Sequence, residues 1–315
     1  MVNETIDALP LEHEPQGLYA PIRYVLSLGG KRIRPVLMLM AYNLYRNDVK
    51  PCIMPAIGLE TYHNFTLLHD DLMDRAEVRR GKTCVHLKWN DNTAILSGDN
   101  MLVLAFQYMM HCDESKMPSV LQIFSKTAIE IDEGQQYDVD FETRNDVTEA
   151  EYIDMIRLKT SVLLACALQI GATLADAPKQ DAEALYRFGE CLGLAFQLQD
   201  DYLDVYGDPA VFGKKIGGDI LCNKKTFMLI NALLYASEED RAELQKWIDS
   251  KDCDPDKKIQ AVTALYTKIG VDRMAQERMN AYYAEAEAYL AKVNLPEERK
   301  QILHGMALEL MNRQK

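Results

Sequence analysis

The 315-residue chain is short of the residues that interrupt helices and of the charge that binds nucleic acid. Its sixteen glycines and eleven prolines fall below the share of about 12% usual in globular proteins. The apolar stretches lack β-branched alternation and are rich in Ala, Leu, Met, Gln and Glu, so helix dominates. The net charge is −13 and no basic stripe offsets it, which argues against nucleic acid as the main partner. Seven cysteines, Cys52, Cys84, Cys112, Cys166, Cys191, Cys222 and Cys253, are scattered without a C-x-x-C pair. That pattern fits reduced, mostly buried thiols in a cytoplasmic protein rather than a disulfide frame or a zinc site. The first residues lack the basic and apolar regions of a signal peptide. No uncharged apolar run reaches the ~18–20 residues of a bilayer span, so no membrane span is expected.

What is present is a hydrophobic content of 48%, ample for a core, arranged in long helical segments. Helices are predicted from Pro35, over 51–74, 92–111, 118–140, 149–174, 181–206, 225–236 and 238–250, and as a C-terminal pair near 255–291 and 296–312. Prolines at 51 and 55 suit the opening turns of a helix. Arg79-Arg80-Gly81-Lys82 reads as a basic turn, and residues 1–20 as a leader of weak helical content. The expectation is an all-α fold, one large helical bundle forming a single domain over 1–315.

The chemistry concentrates in two acidic signatures of one form. Asp70-Asp71-Leu72-Met73-Asp74 and Asp200-Asp201-Tyr202-Leu203-Asp204 both read Asp-Asp-x-x-Asp. Residues three and four apart share a helix face, so each copy gathers carboxylates at one spot. Aspartates that close repel unless a cation lies between them, and hard oxygen ligands favour magnesium. Phosphate partners are also present: Lys31, Arg32 and Arg34 in Gly-Gly-Lys-Arg-Ile-Arg-Pro, then Arg79 and Arg80. Arginine forks match phosphate oxygens bidentately. Lys159 lies inside an otherwise apolar helix, where an unpaired ammonium is costly and a phosphate would satisfy it. Gln197 lies one turn before the second acidic signature and shares its face.

These motifs occur in a definite order: Gly29 to Pro35, Leu68 to Asp74, Arg79-Arg80-Gly81, Gly98-Asp99, Gly134-Gln135-x-x-Asp138, Lys159-Thr160, Phe196 to Asp201, and Gly213-Lys214 through Gly218-Asp219 to Lys224. In that order they resemble the trans-isoprenyl diphosphate synthases, the family of farnesyl and geranylgeranyl diphosphate synthases. The resemblance is dense over 29–226 and elsewhere rests on helical character. It implies an isoprenoid-synthase fold around a large central cavity, a homodimer, and three magnesium ions. Two ions would be held by Asp70, Asp74 and Asp71, the third by Asp200 with Asp201 and Asp204. Arg79, Lys159, Lys214 and Lys224 would grip the allylic diphosphate, with Thr160 and Gln197 supplying dipoles to the allylic cation. Lys31, Arg34, His63 and Arg80 would bind isopentenyl diphosphate. The implied reaction is head-to-tail condensation of these two substrates, with no side-chain nucleophile.

In that family the residues before the first acidic signature often floor the pocket for the growing chain, which points here to Tyr62, Phe65 and Thr66. Helical rise puts Phe65 about 7.5 Å from Asp70 along the axis and rotates it roughly 140° away. The segment His63 to His69 with the short signature looks most like archaeal geranylgeranyl synthases, so a twenty-carbon product is expected ahead of a fifteen-carbon one. Three other readings compete. His69-Asp70 is also the dyad of an HD-type metal-dependent phosphohydrolase, with His63 upstream. A class I terpene cyclase shares the first acidic signature but not the second. A non-catalytic subunit of a heteromeric synthase would tend to lose the acidic motifs or basic residues that this chain keeps.

Overall fold

A computed structural model describes residues 1–208, 216–250 and 252–311. Among them the elements run α1 (Val2–Asp7), α2 (Gln16–Ser27), α3 (Ile33–Asn43), α4 (Lys50–Met73), β1 (Val78–Arg79), β2 (Lys82–Thr83), α5 (Val85–Lys88), α6 (Asp91–Met109) and α7 (Met117–Thr143). They continue with α8 (Glu149–Ile156), a π-helical turn (Arg157–Ser161), α9 (Val162–Leu174), α10 (Lys179–Tyr206), α11 (Gly218–Leu221), α12 (Phe227–Tyr235), α13 (Glu238–Asp249), α14 (Pro255–Ile269), α15 (Val271–Lys292) and α16 (Glu297–Met311). The fold is all-α, as the composition predicts, and the only strands described are two of two residues each, paired in one hairpin.

Local chemistry sets the helix ends. Thr148 and Glu151 form a reciprocal capping box at the start of α8, and Asn90, Ser237 and Asp254 cap α6, α13 and α14 with side-chain oxygens; each satisfies amides that have no partner within the helix. The predicted helix over 255–291 is instead two helices. Gly270, at φ 88°, ends α14 in the left-handed conformation that closes many helices. The expected leader, 1–20, contains α1 and the start of α2 and buries Ile6 and Leu11.

The chain forms two compact units, 1–125 with 166–183, and 126–165 with 184–315. The first is built on α4, which packs against α3 and α6. It buries Leu37, Met38, Ile57, Leu59, Tyr62, Met101 and Phe124 almost completely. The second has a core that includes Tyr152, Leu194, Leu198, Phe227, Met228, Leu244 and Val262. One stretch, 149–174, is long and apolar enough to cross a membrane, but most of it is buried inside the protein. It is a core helix, and its hydropathy reflects burial on all sides.

Candidate active site

In the first unit the acidic signature occupies the last turn of α4, with Asp74 as its C-cap. Its three carboxylates do not behave alike. Asp70 is half-buried and Asp74 exposed, whereas Asp71 is buried. Arg79 holds Asp71 Oδ1 through Nε at 2.9 Å and Nη2 at 2.5 Å, and its Nη2 lies 3.7 Å from Asp70. Burial works against the Arg79 charge, but these carboxylates more than offset it and its pKa is raised. Asp71 therefore departs from the expectation that all three carboxylates converge on a cation: it orients an arginine.

Arg79 stands on β1, and the hairpin that follows it turns at Arg80-Gly81, with φ 52° and 75°. Two successive left-handed residues suit the two-residue turns that match strand twist. The turn brings Arg80 onto the Gly29-Gly30 loop, where its Nη1 donates to the Gly29 carbonyl. A Cβ on Gly30, at φ 125°, would lie 2.8 Å from the Arg80 guanidinium. The backbone conformation there favours glycine, and an added Cβ would push the Arg80 tip aside.

Beside this loop Arg34 Nη1 lies 3.1 Å from His63 Nε2. A guanidinium only donates, so this ring nitrogen accepts and the imidazole is neutral. Burial and then the arginines Arg34, Arg80, Arg79 and Arg32 hold His63 well below its usual pKa. Burial also brings Arg34 down to about 10 against the pull of Glu60, which leaves it cationic at neutral pH. Lys31 is exposed at the loop. Arg32, counted with these cations in the sequence, turns inward instead. It pairs with buried Glu60 at 2.5 Å and donates to the Leu26 carbonyl at 2.7 Å, while Asn64 donates to the same Glu60 oxygen at 2.9 Å. Glu60 escaped the sequence reading. Its place one turn before His63 and Asn64, facing the core, is the only signal of it.

The residues expected at the chain-length floor lie on the same helix. Tyr62 is 1% exposed and packs edge-on against Phe124, centroids 5.2 Å apart. Phe65 contacts the Tyr62 ring and stacks edge-on with His69 at 4.9 Å. The Thr66 hydroxyl donates to the His63 carbonyl. His69 Nε2 lies 3.2 Å from the Ile95 carbonyl oxygen; that oxygen only accepts, so the ring nitrogen carries a proton and is unavailable to a metal. A phosphohydrolase dyad would therefore have to ligate its metal through His69 Nδ1.

In the second unit Lys159 and Thr160 fall within the π-helical turn Arg157–Ser161. Such turns are rare and concentrate at functional sites. Gly134 on α7 permits this one: an added Cβ would meet the backbone of Leu158 and Lys159. Lys159 Nζ lies 2.6 Å from Asp138 Oδ2 and Lys224 Nζ 3.8 Å from the same oxygen. Burial tends to raise the Asp138 pKa, but Lys224 and Lys159 hold it below the ordinary carboxylate range.

The second acidic signature lies near the end of α10 and repeats the division of the first. Asp200 and Asp204 are half-buried, and Asp201 is buried. Tyr152 donates its hydroxyl to Asp201 Oδ2, the Phe227 amide donates to the same oxygen at 3.4 Å, and Gln197 Nε2 donates to Oδ1 at 3.4 Å. Burial, with Asp219 adding to it, pushes Asp201 up to about 7 despite the Tyr152 hydrogen bond. Asp204 Oδ2 accepts from the Asp219 amide at 3.0 Å. Lys214 lies outside the described residues.

Among the described residues no three His, Cys, Asp or Glu side chains form a ready-made metal cage. Each signature instead presents a pair of carboxylates four residues apart. This donor set suits magnesium, which keeps several waters and takes one or two carboxylates plus substrate phosphates.

Comparison with known proteins gives the family. The profile of the polyprenyl synthetase family matches residues 15–265. The chain belongs to that family and is a prenyltransferase. Geranylgeranyl diphosphate synthase of Methanosarcina mazei is 42% identical over 233 residues, 73% of this chain and 72% of that protein. A crystal structure of a geranylgeranyl pyrophosphate synthase superposes with a TM-score of 0.93 at 42% identity, covering 99% of this chain and 96% of the other. The corresponding synthetase from Pyrococcus horikoshii Ot3 gives 0.92 at 32% identity, covering 99% and 95%.

Proposed function

We propose that the chain condenses isopentenyl diphosphate head-to-tail with allylic diphosphates and releases geranylgeranyl diphosphate, a twenty-carbon all-trans product. The observation that carries this reading is the environment of Arg79, a guanidinium between Asp70 and Asp71 on the hairpin that also presents Arg80. Cations and acidic residues interleaved in this way suit a ligand that is itself a metal–diphosphate complex. The relatives above support the chain length, and the buried ring of Phe65 gives α4 a bulky residue to limit it.

Arg79, Lys159, Lys224 and Lys214 hold the allylic diphosphate, while Lys31, Arg34, Arg80 and neutral His63 hold that of isopentenyl diphosphate. Magnesium, three ions held by Asp70 and Asp74 and by Asp200 and Asp204, would supply Lewis-acid stabilisation of the leaving diphosphate. The basic residues share that task, since preorganised positive charge lowers the cost of breaking the allylic C–O bond. Thr160 and Gln197 present dipoles to the allylic carbon as positive charge develops. The isopentenyl double bond then attacks, and the departed diphosphate takes the final proton. Asp71 and Asp201 act as supports, Asp71 orienting Arg79 and Asp201 orienting Tyr152 and Gln197. The enzyme works as a cytoplasmic homodimer of single-domain protomers in this reading.

The test is stoichiometry. Purified protein with magnesium, isopentenyl diphosphate and an allylic primer should release one inorganic diphosphate per isopentenyl unit coupled. Release of monophosphate without carbon–carbon coupling contradicts the reading.

A further inference from the structure

Helix α11 and the turn after it carry Asp219 and Lys224, and this segment is tied to α10 through backbone contacts. The Gly217 and Asp219 amides donate to the carbonyl and the carboxylate of Asp204 at 2.7 and 3.0 Å, and within the segment the Lys224 amide donates to the Asp219 carbonyl at 2.9 Å. One residue of the turn, Asn223, has left-handed backbone at φ 53°, a region asparagine tolerates better than most non-glycine residues. Its side chain is fixed at both ends: Nδ2 donates to the Ile248 carbonyl at 3.0 Å, and Oδ1 accepts from Lys258 Nζ at 2.7 Å.

Lys258 belongs to no motif in the sequence. It lies on α14, is 4% exposed, and lines a small cavity with Asp219, Asn223 and Tyr266. Burying an ammonium is costly unless it is hydrogen-bonded, and its bond goes to the residue just before Lys224. That side chain reaches to 3.8 Å from Asp138, whose other cation is Lys159.

We propose that Lys258 is a positioning residue for the allylic diphosphate: through Asn223 it fixes the turn that aims Lys224. The inference rests on the role given to Lys224 above. A lysine on a fixed backbone loses less freedom when it grips a ligand than one on a loose turn, so the brace contributes to affinity without touching substrate.

The experiment uses the full-length protein with magnesium and varies each substrate separately. Lys258→Met keeps the apolar stem and removes the donor. The KM for the allylic diphosphate should rise ~10-fold, the scale of one lost hydrogen bond to a charged group, with the KM for isopentenyl diphosphate within about twofold of the parent. Asn223→Gly, which keeps the left-handed backbone without strain, should give the same selective rise, and the double variant should add little to either. It also keeps the proposal testable if Lys258→Met folds poorly. An unchanged allylic KM in the folded variants, alongside a raised one in Lys224→Ala, overturns the role of Lys258 and leaves that of Lys224 standing. An unchanged allylic KM in Lys224→Ala overturns both. Equal rises in the two substrates' KM values would reduce Lys258 to a general structural role and also overturn the proposal.

Discussion

The Tyr152 hydroxyl donates to the Asp201 carboxylate, in a site where the tyrosine is 1% exposed and the aspartate 5%. Asp201 is the middle aspartate of its signature, and the middle aspartate of the other, Asp71, is likewise taken up by a protein partner, Arg79. Each signature thus divides its labour: the first and third carboxylates remain on the accessible face, and the second holds a neighbouring side chain in place.

This division separates two kinds of variant. Asp70→Asn should lower turnover by ~10²-fold, the scale of removing one preorganised electrostatic group, with little change in melting temperature. Asp71→Asn should lower unfolding stability by ~1–3 kcal/mol, because it weakens a buried hydrogen-bonded ion pair. Urea denaturation alongside initial rates distinguishes them; equal stability losses in both variants would contradict the assignment.

Much of this site is legible in the sequence because its residues are chemically distinctive and close together along the chain. The first acidic signature ends α4, the second lies near the end of α10, and Arg80-Gly81 forms a turn, as the pattern predicts. The unequal roles of the aspartates were missed, although the periodicity contains them. Asp71 follows Leu68 by three residues and Asn64 by seven, and Asp201 follows Leu198 and Leu194 at the same intervals, so both continue buried stripes. The π-helical turn left no such trace. Nothing in Arg157-Leu158-Lys159-Thr160-Ser161 distinguishes it from α-helix, and the close approach that accommodates it involves Gly134, more than twenty residues earlier in the chain. Lys258 and Glu60 were invisible for a similar reason, since a charge looks solvated until its buried partner is known.

His63 predicts a pH dependence. Its folded pKa is depressed, so the unfolded chain binds a proton that the folded chain does not as pH falls below the ordinary histidine value of about 6.5. Stability therefore rises with pH across that window and falls on acidification. His63→Gln should flatten this slope between roughly pH 5 and 7. Melting curves across that range check it, and an unchanged slope would place the titrating group elsewhere.

Gly134→Ala tests the packing behind the π-helical turn. The added methyl meets backbone atoms of Leu158 and Lys159, which cannot swing aside as a side-chain tip can. Overpacking of this kind costs ~1–3 kcal/mol, and turnover should fall with stability because Lys159 and Thr160 move with the turn. Wild-type turnover in a destabilised variant would show that the turn's geometry is not needed for catalysis.

Phe65→Ala tests the control of chain length. The ring is 9% exposed against Tyr62 and His69, and removing it opens space on α4. The variant should release products longer than those of the parent. An unchanged length by mass spectrometry would remove Phe65 from that role.

The most direct test of the central claim is a product assay. The purified protein is supplied with magnesium, labelled isopentenyl diphosphate and, in turn, the five-, ten- and fifteen-carbon allylic diphosphates, and the products are weighed by mass spectrometry. A ladder from every primer that stops at twenty carbons is the predicted result. Failure to extend any of the three would contradict the assignment.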